Sequence, residues 1–172
     1  VPVWLDGMIQ EATAIHSSHP EYLTSSLKRS LLQDDGENPF TSEWFRPVKG
    51  RELRESIIMD TSPCIVLATS GMLNGGPVME YFKNWAHEER NSLCFVGYQA
   101  EGTLGRRLQK GFGEVPMVIN GQTEIVKVGC EMVTIDGFSG HSDRRQLLEF
   151  VDQLHPKPRN IICHHGDYHK CN

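Results

Sequence analysis

Apolar positions along this chain follow two rhythms, short continuous runs and stripes at helical spacing. Val3-Trp4-Leu5 ahead of Asp6-Gly7 reads as the end of a strand, and helix formers follow through Ile15. Pro20 suits the first turn of a second helix reaching about Gln33, with Leu23, Leu27 and Leu31 on one stripe. Asp34 to Pro39 is a polar turn cluster, and Leu53, Ile57 and Ile58 share one face of a short helix over Arg51 to Met59. Cys64 to Ala68 is a continuous apolar run, which predicts a parallel strand covered on both faces. The glycine-rich stretch Ser70 to Gly76 is the loop after it. Pro77 then opens a helix whose buried stripe is Val78, Tyr81, Phe82 and Trp85. Leu93 to Gly97 is the next strand, Gln99 to Gly102 a loop, and Thr103 to Lys110 a helix that Thr103 can cap.

The character changes at Gly111 to Gly113. Val115 to Val128 reads as two strands around Asn120-Gly121, a strong hairpin signal. Met132 to Ile135 is a further strand, followed by a helix with Leu147, Leu148, Val151 and Leu154 inward. Pro156 and Pro158 stop that helix, and Ile161-Ile162-Cys163 reads as a last strand. Alternating strands and helices predict an α/β fold with a doubly wound layer, and the break near Gly111 predicts a domain boundary there.

Composition narrows the class. With 172 residues, 38% of them hydrophobic and 23% charged, the chain is ordinary globular material for one domain or two small ones. The net charge is −5, split as −3 up to Lys110 and −2 beyond it, so neither part is a basic module. Any polyanion would have to be held by a local site. No apolar run approaches the ~18 residues of a membrane span, and no secretory signal pattern opens the chain, so a cytoplasmic protein is expected. The five cysteines form no CxxC pair, and three lie in strand-like runs, which reads as buried reduced thiols. Val1 lies at a predicted strand with no initiator methionine before it, as in a piece of a longer polypeptide.

Three stretches could carry chemistry. Ser139-Gly140-His141-Ser142-Asp143 sits between a strand and a helix, where Ser142 can cap the helix and free N–H groups can hold an anion. His141 there could give a proton to a departing oxygen, or be a polar loop residue only. In His164-His165-Gly166-Asp167 at most one histidine faces a given site; it could be a zinc ligand with Asp167 orienting it, or hydrogen-bonded scaffold. His169 and Cys171 lack the spacing of a Cys/His metal cluster. The loop Ser70 to Gly76 lies where open α/β sheets bind ligands, yet it is neither GxGxxG nor a P-loop. Arg106, Arg107 and Lys110 read equally as a phosphate patch or a solvated face.

Taken together, four ordered stretches resemble a known family. They are Ala68-Thr69-Ser70-Gly71-Met72-Leu73-Asn74-Gly75-Gly76-Pro77, Gly97 to Arg107, Phe138 to Asp143, and His165-Gly166-Asp167. They resemble the β-CASP branch of the metallo-β-lactamase fold, and most of all the archaeal homologues of the endonuclease subunit of the cleavage and polyadenylation specificity factor. RNase J is the nearest alternative. The resemblance implies a partial β-CASP domain, Rossmann-like, over residues 1–110, and the C-terminal part of a metallo-β-lactamase αββα domain over 111–172. It implies a ribonuclease in which two zinc ions activate water against a phosphodiester. His141 falls on the family histidine that assists the leaving group, and His165 on a zinc ligand, while His164 does not match. Ser139, Gly140 and Ser142 would hold a phosphate. The resemblance also implies RNA as partner, no membrane, and a homodimer as the assembly. The family's HxHxDH run and other acidic metal motifs precede this region, so the chain alone is expected to be inactive. A non-catalytic scaffold paralogue is the other reading the resemblance leaves open.

Overall fold

Short apolar runs bounded by Gly, Asp and Pro build the strands. The computed structural model describes residues 1–32, 38, 40–119, 121–138 and 140–164, which fall into two compact units, Val1–Phe138 and Ser139–Asn172. In the first, β1 (Val3–Asp6) lies between β2 (Phe45–Pro47) and β3 (Ile65–Ala68), all parallel. The register runs from Val3 opposite Ile65 to Asp6 opposite Ala68. The crossovers carry α1 (Ile9–Ser18) and α2 (Ser25–Leu32), then α3 (Gly50–Met59), as strand-helix alternation requires of a parallel sheet. Beyond α4 (Val78–Trp85), β4 (Ser92–Phe95) leads to α5 (Leu104–Gln109). A hairpin of β5 (Glu114–Ile119) and β6 (Gln122–Lys127) then returns the chain to β7 (Glu131–Thr134), which pairs parallel with β4. The α/β class is therefore as expected.

Two apolar clusters hold this unit. Val48, Ile57 and Tyr81 are buried with Trp4, Leu53, Val66 and Trp85 packed around them, so α3 and α4 cover one face of the β2-β1-β3 sheet. The larger cluster joins Leu73, Phe82, Phe95 and Leu108 to Val115, Met117, Ile119 and Val126 of the hairpin. Leu108 and Val115 are 1% and 0% exposed. Burial of each such side chain stabilises the fold by about 1.5–3 kcal/mol. The hairpin turn needs its glycine, since Gly121 takes φ +79°.

Several expectations are corrected. β3 is not covered on both faces: Ile65 is 50% and Leu67 39% exposed, and they alternate with half-buried Val66 and Ala68. The second helix is interrupted, because Pro20–Tyr22 forms a single 3-10 turn and Leu23 is extended before Ser25 starts α2. Of the cysteines in strand-like runs, Cys94 and Cys163 are exposed and Cys64 is half-buried; the buried one is Cys130. Cys94 faces outward because β4 alternates and its inward position is taken by Phe95. Most of the expected turn Asp34–Pro39 lies outside the described residues, as do Gln33, Asn120 and Cys171.

Among its described residues the second unit holds α6 (Arg144–Gln153), followed by irregular structure over 154–164. Val151 and Leu154 are half-buried, but Leu147 and Leu148 are 56% and 51% exposed, so half the expected inward stripe is not covered. Ile161 to Cys163 forms no strand. Apolar β-formers make a ladder only beside a second strand, and this unit has none among its described residues.

Candidate functional site

Two loops leave the carboxyl ends of parallel strands and are stitched together. The first, Ser70 to Gly76, curls on itself: Ser70 N–H donates to Gly75 O at 3.1 Å and Asn74 N–H to Ser70 Oγ at 3.1 Å. Leu73 anchors it, buried in the larger core at φ 54°. Gly76 (φ +76°) passes so close to β3 that a Cβ there would lie 2.6 Å from Thr69 O. The second loop follows β4, and its Gln99 is 3% exposed. Gln99 Nε2 donates to Gly71 O at 2.9 Å and to Gly97 O at 3.1 Å, while Gly105 N–H donates to Met72 O at 3.2 Å. Among the described residues Gln99 Oε1 has no hydrogen-bond partner, and it fills the space a side chain on residue 105 would need. Thr103 caps α5 as expected, its Oγ1 accepting from Arg106 N–H at 3.2 Å.

Beside this loop pair lies an ion pair that the sequence reasoning missed. Asp6, 2% exposed, ends β1 and accepts from Arg54 Nε at 2.7 Å and Nη2 at 2.9 Å, a two-pronged bond. Tyr81 Oη donates to the same carboxylate at 2.8 Å. Burial raises the Asp6 carboxyl, but the Arg54 and Tyr81 bonds and the Arg54 charge outweigh it and hold the group below the usual carboxylate range. Burial and the adjacent Asp6 carboxylate push the Tyr81 phenol upward. Two residues on from Asp6 the crevice between strand ends is closed, Met8 N–H donating to Thr69 Oγ1 at 3.2 Å. A charged residue closing an apolar strand just before a glycine was the available signal. Its partners lie 48 and 75 residues away.

The cationic helix resolves into parts. Arg106 Nε and Lys110 Nζ both bind Glu101, at 3.1 and 2.8 Å, and these two groups read as part of a solvated face. Arg107 instead lies over the Phe112 ring, 5.3 Å from its centroid.

In the second unit, Gly140, His141 and Ser142 form an exposed lead-in to α6. The cap is Asp143 rather than Ser142. Its Oδ1 accepts from Gln146 N–H at 2.8 Å, and Gln146 Oε1 accepts from Asp143 N–H at 2.8 Å. The reciprocal pair satisfies two backbone donors where a serine hydroxyl would satisfy one. The N–H groups of Arg144 and Arg145 remain in the first turn, at the positive end of the helix dipole. Ser139, His165, Asp167 and His169 lie outside the described residues. Among the described residues no three His, Cys, Asp or Glu side chains gather as a metal site, so these residues do not fit a two-zinc centre by themselves.

Comparison with known proteins adds an independent line. Residues 1–108 match the Beta-Casp domain family, and residues 125–172 match the family described as a Zn-dependent metallo-hydrolase RNA specificity domain. The chain is 58% identical over 172 residues to a protein of Methanosarcina mazei named transcription termination factor FttA, covering 99% of this chain and 27% of that protein. The same name is carried by a Pyrococcus horikoshii relative, 53% identical, and a Lokiarchaeum relative, 46% identical, each over 172 residues. Those matches cover 99% of this chain and 26% and 27% of the relatives, so the chain spans about a quarter of their length.

Proposed function

The chain belongs to the β-CASP family, and we propose that it is the later part of a zinc-dependent ribonuclease of the polyadenylation-factor type. The reaction is hydrolysis of RNA phosphodiesters, in transcription termination or RNA 3′-end processing. One observation carries the reading. The RNA specificity match over 125–172 spans both histidines the reading uses, and relatives covering nearly the whole chain are named termination factors.

Within that reading His141 protonates the departing oxygen. It sits two residues before the cap of α6, where the Arg144 and Arg145 N–H groups favour a phosphate. In the same reading Ser139, Gly140 and Ser142 hold the phosphate through hydroxyls and backbone N–H groups. His165 is the zinc ligand this chain contributes, and Asp167 orients it. The remaining ligands of the two zinc ions come from outside the chain, so the 172 residues alone bind RNA weakly and do not cleave it. The domain assignment belongs to the proposal too, with β-CASP up to about 110 and the metallo-hydrolase part from about 111. The reading also includes a homodimer and a cytoplasmic location; no described helix is long and apolar enough to cross a membrane.

The test is zinc titration with an RNA-cleavage assay, on this chain and on the full-length protein. Full-length His141→Ala should lose ~10²–10⁴-fold in cleavage rate and keep its zinc. Full-length His165→Ala should lose zinc. Robust metal-dependent cleavage by the 172-residue chain, or loss of zinc from His141→Ala, would overturn these assignments.

A further inference from the structure

The outer edge of β5, like that of β6, has no partner strand among the described residues. The register sets Val115, Met117 and Ile119 opposite Val126, Glu124 and Gln122, and Val128 N–H reaches Gly113 O at 2.9 Å. With a two-residue turn these are the hydrogen-bonded pairs, so the N–H and C=O groups of Glu114 and Val118 point away from β6. Pro116 belongs to the same outward set, where its missing N–H leaves the hairpin ladder intact.

That edge borders a cleft of about 440 Å³. Four consecutive residues, Pro116 to Ile119, line it, which places the strand's edge rather than one face along the opening. Leu73, Met79 and Leu104 give it apolar surface, and Lys83 and Arg107 give it positive charge. The cations differ. Lys83 is 3.5 Å from Glu80, whereas Arg107 has the Phe112 ring and no carboxylate among the described residues. Its neighbours Arg106 and Lys110 are already engaged by Glu101.

We propose that this edge receives an extended segment of a partner polypeptide by strand addition. The segment seats an apolar side chain against Leu73, Met79 and Leu104 and brings a carboxylate to Arg107. Main-chain bonds to Val118 N–H, Val118 C=O and Pro116 C=O supply pairing, and the cleft supplies selection for alternate side chains. A second copy of β5 does not suit the cleft, because its Val115, Met117 and Ile119 are already buried in its own core. RNA suits it less than peptide, since the outward main-chain groups of β5 pair with a peptide backbone and Glu80 offsets one of the two cations. The proposal stands apart from the ribonuclease reading and uses none of its residues.

The test uses the intact chain and three fluorescein-labelled probes. These are a decapeptide alternating valine and glutamate, the same peptide with lysine for glutamate, and a uridine decamer. The valine-glutamate peptide should bind and slow hydrogen exchange at the Val118 amide, and the lysine peptide should not. Arg107→Glu should weaken binding ~10-fold or more. Val118→Pro should do the same through loss of one outward N–H, since that side chain is 75% exposed. Thermal melts of both variants check that folding is intact, and Val118 exchange in the unaltered chain reads the contact even if the proline variant misfolds. No binding of the valine-glutamate peptide, unchanged affinity in both folded variants, or Val118 protection by the uridine decamer instead would overturn the proposal.

Discussion

The two units differ in where their order comes from. Val1–Phe138 has two buried clusters and a buried ion pair, and its contacts join residues far apart in the chain. The described residues of the second unit hold one helix with no buried residue, fixed by a capping box four residues wide. In the first unit tertiary packing selects the structure, and in the second local signals do. A ten-residue helix is marginal by itself in water, so α6 rests on its cap more than α3, α4 and α5 do, each of which buries at least one residue.

The sharpest way to break this contrast is at Asp6. Arg54→Ala leaves a carboxylate 2% exposed without its cation, and removing one partner of a buried pair typically costs ~3–5 kcal/mol. Thermal melting should report that loss in the first unit while the helical signal of α6 is unchanged. Acid gives the same result by another route. The Asp6 carboxyl is held below its usual range in the folded protein, so its contribution is complete above the unfolded value of about 4 and is lost as pH falls through the depressed folded value. Asp6→Asn should remove that part of the acid sensitivity. An identical pH profile in the variant would show that the ion pair carries none of it.

Leu108→Ala is next. At 1% exposure, in the cluster that joins α4 and α5 to the hairpin, the truncation should cost ~2–5 kcal/mol, measured by denaturant unfolding. Because Val115, Met117 and Ile119 share that cluster, hydrogen exchange should rise in β5 and β6 together with α5. Protection lost in α5 alone would mean the hairpin is held by its own ladder.

The same division explains what could be read in advance. Asn120-Gly121 announced the hairpin because a two-residue turn is a local demand, and Thr103 announced the start of α5 for the same reason. The pattern Asp143-x-x-Gln146 was equally local and legible as a capping box, although Ser142 one residue earlier drew the cap assignment. The Asp6–Arg54–Tyr81 cluster was not legible, since nothing near Asp6 specifies partners 48 and 75 residues away. Ile161 to Cys163 has the composition of a strand and lacks, among the described residues, the neighbour that would make it one. Of the residues proposed for the site, His141 is found at the mouth of α6, and His165 and Asp167 lie outside the described residues.

The smallest expected effect sharpens the contrast most directly. Asp143→Ala removes the acceptor for Gln146 N–H and frees the Gln146 side chain, a change typically worth ~0.5–2 kcal/mol. In a helix packed into a core that would be a modest shift in melting. In α6, whose residues 147 and 148 are both more than half exposed, the same energy is a large share of what keeps the helix formed. Far-ultraviolet circular dichroism should therefore lose part of its helical signal at ambient temperature, while the melting of Val1–Phe138 stays where it was. His141 and Ser142 lead into this helix, so the phosphate site proposed there would loosen with it, and RNA binding by the variant should weaken along with helicity. If helicity is unchanged, packing beyond the described residues holds α6, and the second unit would then be ordered by tertiary contacts like the first.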